Sequence, residues 1–239
     1  MTKVSEYVRH EPCPACGSED NLGRYSDGHG YCFGCGHMEA SPSFFLPLKQ
    51  VIVNPKDHSH LLYDAQKNLG VKAWQWLGKY GILKSETENW LWSEQKEWLI
   101  FPILEECGKI VVWQARNFST TRPKPKTLTF GAVGEVLYLL GSGETVVIVE
   151  DIISATKVAR CTSALPVFGS NIPLQTLTRL VARFKNLVIW LDKDMAGKSV
   201  AAAERARQFG FESVRSVITD RDPKEYTDEE IKGFLSHGD

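Results

Sequence analysis

The chain has 239 residues, a formal net charge of −1, and 43% hydrophobic against 24% charged side chains. This ordinary globular mix leaves room for one large domain or two smaller ones. It excludes a disordered polymer and a broadly basic nucleic-acid binder, so any surface for nucleic acid must be local. No run reaches the roughly 18 apolar residues of a membrane span. The N-terminus MTKVSEYVRHEP has no apolar signal core. A soluble, cytoplasmic protein with no membrane partner is expected.

The first unit, residues 1–40, is rich in cysteine and glycine. Cys13-Pro-Ala-Cys16 and Cys32-Phe-Gly-Cys35 form two CxxC turns separated by fifteen residues. Each turn aims two thiolates at one point, and two turns complete a tetrahedral four-thiolate site. Structural Zn2+ held by Cys13, Cys16, Cys32 and Cys35 is expected, with Gly17, Gly34 and Gly36 shaping the turns. A closed four-cysteine site folds its module and does no chemistry. Between the pairs runs Arg24-Tyr25-Ser26-Asp27-Gly28-His29-Gly30-Tyr31. These side chains offer hydrogen bonds to base edges and rings for stacking. The alternative is that Tyr25 and Tyr31 pack a tiny core while His29 faces solvent, and the chemistry alone favours that alternative.

Residues 41–58 carry Pro42, Pro47 and Pro55 and read as a stiffened linker. From Leu61 to Ile82 the apolar spacing predicts two short helices split by Gly70. EWLIFPI (97–103) and KIVVWQAR (109–116) predict two strands joined by a turn at 105–108. Five of the seven tryptophans fall between Trp74 and Trp98. They are expected to be core, because they sit inside apolar patterns. From Cys107 to Gly134 there are five Lys/Arg and no Asp or Glu. Arg122-Pro-Lys124-Pro-Lys126, with Arg116 and Lys109, is either a local basic patch or an ordinary solvated loop.

After Gly141 strands alternate with helices, which means a parallel α/β sheet. TVVIVE (145–150), LPVF (165–168), LVIWL (187–191) and SVRSVI (213–218) are the strands. A helix opened by Pro173 and an alanine-rich helix 197–209 stopped by Gly210 lie between them.

Gly197-Lys198-Ser199 resembles the end of a phosphate-binding loop. Such a loop needs a glycine five positions earlier, and that position is Asp192. Two carboxylates, Asp192 and Asp194, stand where bare amides should meet phosphate. Metal fits better. Asp192 follows a buried strand at the edge where α/β sheets open their crevice, and magnesium favours carboxylate oxygens. Glu150 ends the earlier buried strand, 145–150, in the same way, and Asp222 follows the last strand region.

Taken together, Glu150, Asp192-Lys-Asp194-Met-Ala-Gly197-Lys198 and Arg221-Asp222-Pro223-Lys-Glu225-Tyr226 resemble a Toprim domain, the metal-binding fold of primases and topoisomerases. CPACGSED…YSDGHGYCFGC resembles the zinc-binding domain of phage primases, and AWQWLGKYGI (73–82) a short helix common among them. The resemblance implies an α/β (α+β overall) chain. A zinc ribbon (1–40) and linker (41–58) precede an RNA-polymerase region. That region has a small basic α+β subdomain (59–140) and a Toprim parallel α/β subdomain (141–239). It implies a primase, a nucleotidyltransferase making RNA primers on single-stranded DNA from ribonucleoside triphosphates. Its catalytic Mg2+ or Mn2+ would be held by Glu150, Asp192, Asp194 and Asp222.

The resemblance also raises Asp27 and His29 to template contacts. It makes Arg24, Tyr31, Arg116, Arg122, Lys124, Lys126 and Lys198 candidates for nucleic-acid or nucleotide binding. One departure is that Asp151 and Ser154 replace the glycine and second acid of the first motif. Either Asp151 supplies the lost carboxylate or the site runs with one acid fewer. No GxxxxGK[ST] occurs, so a helicase is expected on a separate chain. The alternatives are a Toprim nuclease and a non-catalytic single-stranded-DNA-binding primase relative.

Overall fold

A computed structural model describes residues 6–26, 28–39, 59–104, 110–131 and 133–236. The proline-bearing stretch 41–58, the turn 105–108, Lys109 and Asp27 lie outside these residues. The chain divides into two compact units, Met1–Asn54 and Pro55–Asp239. Among the described residues no helix is long and apolar enough to cross a membrane.

The first unit is an antiparallel sheet of β1 (Tyr7–Glu11), β2 (Leu22–Tyr25), β3 (Gly30–Cys32) and β4 (Met38–Glu39), in that order. Among the described residues its hydrophobic core is Cys13, Leu22 and Cys32. Each CxxC turn closes when the glycine four residues on donates back to the first cysteine: Gly17 N to Cys13 O and Gly36 N to Cys32 O, both 2.9 Å. Gly17 (φ 71°) and Gly36 (φ 75°) adopt the left-handed backbone that glycine tolerates. Gly34, expected to share this role, is not among the glycines with positive φ.

The second unit contains two sheets. The antiparallel sheet runs in the order β5 (Ala65–Gln66), β6 (Leu91–Ser93), β7 (Trp98–Leu104), β8 (Ile110–Asn117) and β9 (Thr127–Gly131). Helix α1 (Val71–Gly78) packs Ala73 and Leu77 into the same core as Trp90, Trp92, Leu99 and Phe101. The two helices expected over Leu61–Ile82 are therefore one. The first half becomes a 3-10 turn (Ser59–Leu62) and a two-residue edge strand. Leu61, Leu62 and Ala65 pack on the sheet face instead, and tertiary packing overrides so weak a periodicity. Gly70 still separates the two halves. A Cβ there would lie 2.4 Å from the Trp92 ring. The tryptophans of this region are core residues: Trp90 and Trp92 are buried, while Trp74, Trp76 and Trp98 pack at its margin.

The parallel sheet is ordered β11 (Ser163–Pro166), β10 (Thr145–Val149), β12 (Asn186–Ile189), β13 (Ser213–Ser216). β10 is buried on both faces, as its unbroken β-branched run requires. Helix α2 (Ile152–Ala159) starts where Asp151 accepts hydrogen bonds from the amides of Ile153 (2.8 Å) and Ser154 (3.0 Å). Helix α3 (Leu174–Val181) follows Pro173 and buries Leu177 and Leu180. Helix α4 (Ala196–Ala206) buries Ala202, Ala203 and Ala206 and is pinned to β12 by Ser199 Oγ donating to Ile189 O, 3.0 Å. Gly210, at φ 91°, ends the 3-10 turn that extends it. Helix α5 (Asp228–Ser236) closes the chain's described part.

The two halves of this unit share a core through Ile152 and Ile153, which pack among α1, β6 and β7. Arg160, at the end of α2, adds a polar tie. Its Nε and Nη2 meet the two Glu86 oxygens at 2.7 Å, Nη2 also donates to Gly81 O, and Nη1 reaches Asp228 at 3.1 Å. These groups are largely shielded, so a bidentate pair contributes more than a surface ion pair. Arg160→Met should lower unfolding stability by about 2 kcal/mol, between the surface and fully buried cases. Urea denaturation followed by tryptophan fluorescence checks this; an unchanged midpoint would show that the tie is ornamental.

Candidate functional site

In the first unit the four cysteine sulfurs lie within 4.8 Å of one another. The pairs Cys13–Cys35 and Cys16–Cys32 are 3.7 and 3.8 Å apart. A zinc–thiolate tetrahedron with bonds of about 2.3 Å has edges of about 3.8 Å, so the sulfurs fit zinc.

The neighbouring surface is aromatic. Tyr25 stacks on His29 at 4.2 Å. Tyr31 sits edge-on to Phe33 at 5.2 Å, and Tyr7 edge-on to His10 at 5.3 Å. Tyr31 and Phe33 are exposed and Tyr25 is half-buried, so the tyrosines do not fill the core as the chemistry alone favoured. Three buried residues complete that core, and the rings are left on the outside. Arg24 is committed to two carboxylates, Glu11 at 2.7 Å and Glu39.

In the second unit, β10 and β12 are neighbours in register and end at the same edge. They deliver Glu150, Asp151 and Asp192 there. Asp222 arrives on a short 3-10 turn (Pro223–Glu225), where Glu225 bonds back to the Asp222 amide at 3.0 Å. Asp222 in turn accepts from the Lys193 amide at 3.2 Å. Asp194 is exposed in the 3-10 turn ahead of α4.

Nothing in the sequence singles out Lys224 beyond its motif, yet its ammonium lies among the carboxylates. It is 2.8 Å from Asp151 Oδ2, 3.1 Å from Asp192 Oδ2 and 3.1 Å from Asp222 Oδ2. Asp151 therefore has two tasks: one oxygen caps α2 and the other holds Lys224. Ser154, the second departure, is fully buried beneath it and donates to Asp151 Oδ2 at 3.2 Å.

Burial, and then the charges gathered around it, set the titration. Burial, with Asp151 and Asp222 as like-charged neighbours, outweighs Lys224 and pushes Asp192 up to about 7. Burial, then Asp151 and Asp194, raises Glu150. Burial would raise Asp222 too, but the Lys193 amide and Lys224 outweigh it and hold it low. Burial opposes the charge on Lys224, and its carboxylate partners overcome that and raise it.

Two carboxylate oxygens, Glu150 Oε2 and Asp192 Oδ1, are buried with no hydrogen-bond partner among the described residues. Carboxylate oxygens only accept, so a hard cation is the partner that fits. The acids do not converge on one point. Among the described residues, the four cysteines are the only His/Cys/Asp/Glu group with ligand atoms that close together.

The edge opens into a cavity of about 430 Å³. Its lining includes Glu150, Asp151, Asp192, Lys224 and Phe168 from the parallel half and Trp76, Tyr80, Gln114, Arg116, Thr127 and Thr129 from the antiparallel half. Arg116 lies 5.3 Å from the Trp76 ring centre, and its Nε is buried with no partner among the described residues. Gln114 is held by Thr129 Oγ1 at 3.0 Å. Gln114 and Phe168 carry no motif, so no signal marked them in advance.

Of the basic candidates, Arg116 alone lines the cavity. Arg122, Lys124 and Lys126 lie exposed between β8 and β9, on a loop held where Asn117 Nδ2 donates to Arg122 O and Pro125 O. Lys198 donates to Ser170 Oγ at 2.7 Å on α4. No family model and no curated protein sequence matches the chain.

Solved structures do match. The primase fragment of the bacteriophage T7 primase–helicase protein aligns with 96% of this chain and 98% of its own, at 18% identity and a TM-score of 0.52. The fold is that of a primase. The Aquifex aeolicus primase, with its zinc-binding and RNA polymerase domains, aligns with 97% of this chain and 80% of its own, at 16% identity and a TM-score of 0.58. The RNA polymerase domain of Mycobacterium tuberculosis primase, solved with a double-stranded DNA oligomer carrying a 6-nucleotide overhang, covers 72% of this chain and 74% of its own, at 14% identity and a TM-score of 0.52.

Proposed function

We propose that the chain is a DNA primase, a nucleotidyltransferase that makes short RNA primers on a single-stranded DNA template. The observation that carries the reading is the pair of bare, buried carboxylate oxygens of Glu150 and Asp192. They lie where strands end in a primase fold, in a cavity that Arg116 also lines. Glu150 and Asp192 would hold magnesium or manganese, with Asp194 and Asp222 beside them. A bound divalent ion would neutralise phosphate charge and favour attack by a 3′-hydroxyl.

The rest falls to the chain's own groups. Arg116, beside the face of Trp76, has an Nε–H with no acceptor among the described residues and suits a triphosphate. The exposed loop with Arg122, Lys124 and Lys126 suits the backbone of a template strand. In the zinc unit, His29, Tyr31 and Asp27 are the proposed template-base contacts, since exposed rings stack on unpaired bases. Arg24 is proposed to steady that surface through Glu11 and Glu39.

The test is incubation with labelled ribonucleotides, magnesium or manganese, and a panel of single-stranded templates, with Asp192→Ala/Asp194→Ala as control. Short template-dependent RNA that vanishes in the control is expected. Strand cleavage in its place would make the protein a nuclease. Binding without either product would overturn the enzymatic reading.

A further inference from the structure

The carboxylates at the sheet edge are too many for the charge that answers them. Glu150, Asp151, Asp192, Asp194 and Asp222 carry five formal negative charges at one edge; the exposed Lys193 lies beside Asp222, and Lys224 brings one positive charge in among them. The placement of Lys224 is unlike that of a surface lysine. An ammonium has three N–H donors. Three carboxylate oxygens, one each from Asp151, Asp192 and Asp222, lie 2.8, 3.1 and 3.1 Å from it. Its side chain is only 13% exposed. Its backbone is braced by Pro223 and by the reciprocal bonds between Asp222 and Glu225, so the position is built and not merely reached by a flexible stem.

The oxygens divide into two sets. Asp151 Oδ1 caps α2 and Asp222 Oδ1 takes the Lys193 amide. The Oδ2 atoms of Asp151, Asp192 and Asp222 face the ammonium. Glu150 Oε2 and Asp192 Oδ1 are left bare and buried. Asp192 thus turns one oxygen to the lysine and keeps the other free. Carboxylates this close need cations between them. Here one such cation is part of the chain.

We propose that Lys224 is the resident second cation of this site. Its ammonium fills the position between Asp151, Asp192 and Asp222. The edge therefore takes a single divalent ion, at the free oxygens of Glu150 and Asp192, where two metals would otherwise be needed. Asp151 serves as an anchor for the lysine and not as a metal ligand. This rests on the reading above that the edge binds a divalent metal.

The experiment counts manganese on the full zinc-loaded chain by equilibrium dialysis and electron paramagnetic resonance, with Asp192→Ala/Asp194→Ala as the background. Wild type should bind a single ion above background. Lys224→Met should bind two, and Lys224→Arg, which keeps the charge, a single one. Lys224→Gln replaces the methionine variant if thermal melting shows that the latter does not fold. Two ions on wild type would overturn the proposal, because the lysine would then be displaced by metal. An equal single ion on wild type and on the uncharged variant would overturn it while leaving the metal reading standing. No ion above background on either protein would overturn both.

Discussion

Stripping the zinc from residues 6–39 should unfold that unit and leave residues 59–236 folded. Among the described residues of the unit, the buried hydrophobic side chains are Cys13, Leu22 and Cys32. A module this small cannot bury enough apolar surface to offset its chain entropy. Four thiolates on zinc supply on the order of 10–16 kcal/mol, which in such a module is the folding free energy. The second unit has clusters of its own, built on β7, β10 and β12. It also holds all seven tryptophans. Amide NMR spectra should therefore lose the dispersed signals of the first unit on chelation, while tryptophan emission stays put. Cys32→Ser should reproduce the loss, since it removes a buried ligand. Dispersed signals from the first unit without zinc would sink this account.

Asp192→Asn is expected to lower RNA synthesis about 10³-fold or more, corresponding to roughly 4 kcal/mol of lost metal and transition-state interaction. The change keeps the side chain's size and its acceptor toward Lys224, and removes only the charge. Its effect on stability should run the other way. In the metal-free protein Asp192 is raised from 3.8 to about 7. A raised carboxyl binds its proton more tightly in the folded state, so the stability associated with it is lost as pH climbs from about 4 to about 7 and stays lost above that. Asparagine has no such loss. At pH 8 without metal, the variant should melt at or above the wild-type temperature. An Asn variant retaining activity within about tenfold of wild type would remove Asp192 from the metal's ligands. A lower melting point would instead place the residue among the supports of the fold. Loss of activity with stability kept or gained is the pattern of a functional residue held in a costly place.

Much of the fold was legible because its signals are local. The β-branched run of β10 and the apolar run into β12 read as buried strands. They are buried strands, since continuous apolar sequence of that length suits a sheet covered on both faces. The strands expected at 97–103 and 109–116 occur at Trp98–Leu104 and Ile110–Asn117. The segment Leu61–Gln66 was misread because a few apolar residues at helical spacing do not make a helix when a sheet face waits beside them. Tyr25 and Tyr31 belong with this error: in a module of about 35 residues, ring size does not decide which side chains enter the core.

The residues alone determined the cysteine tetrad, the parallel α/β half and the presence of carboxylates at strand ends, since spacing and periodicity belong to neighbours in the chain. Only the tertiary structure decided what those carboxylates meet. Lys224 and Asp151 are 73 residues apart, and Arg160 and Glu86 are 74 apart. Their meeting depends on the strand order β11-β10-β12-β13 and on α2 packing against the antiparallel half. Electrostatic energy varies with distances of a few ångströms, and those distances exist only once the sheet has brought its ends to one edge.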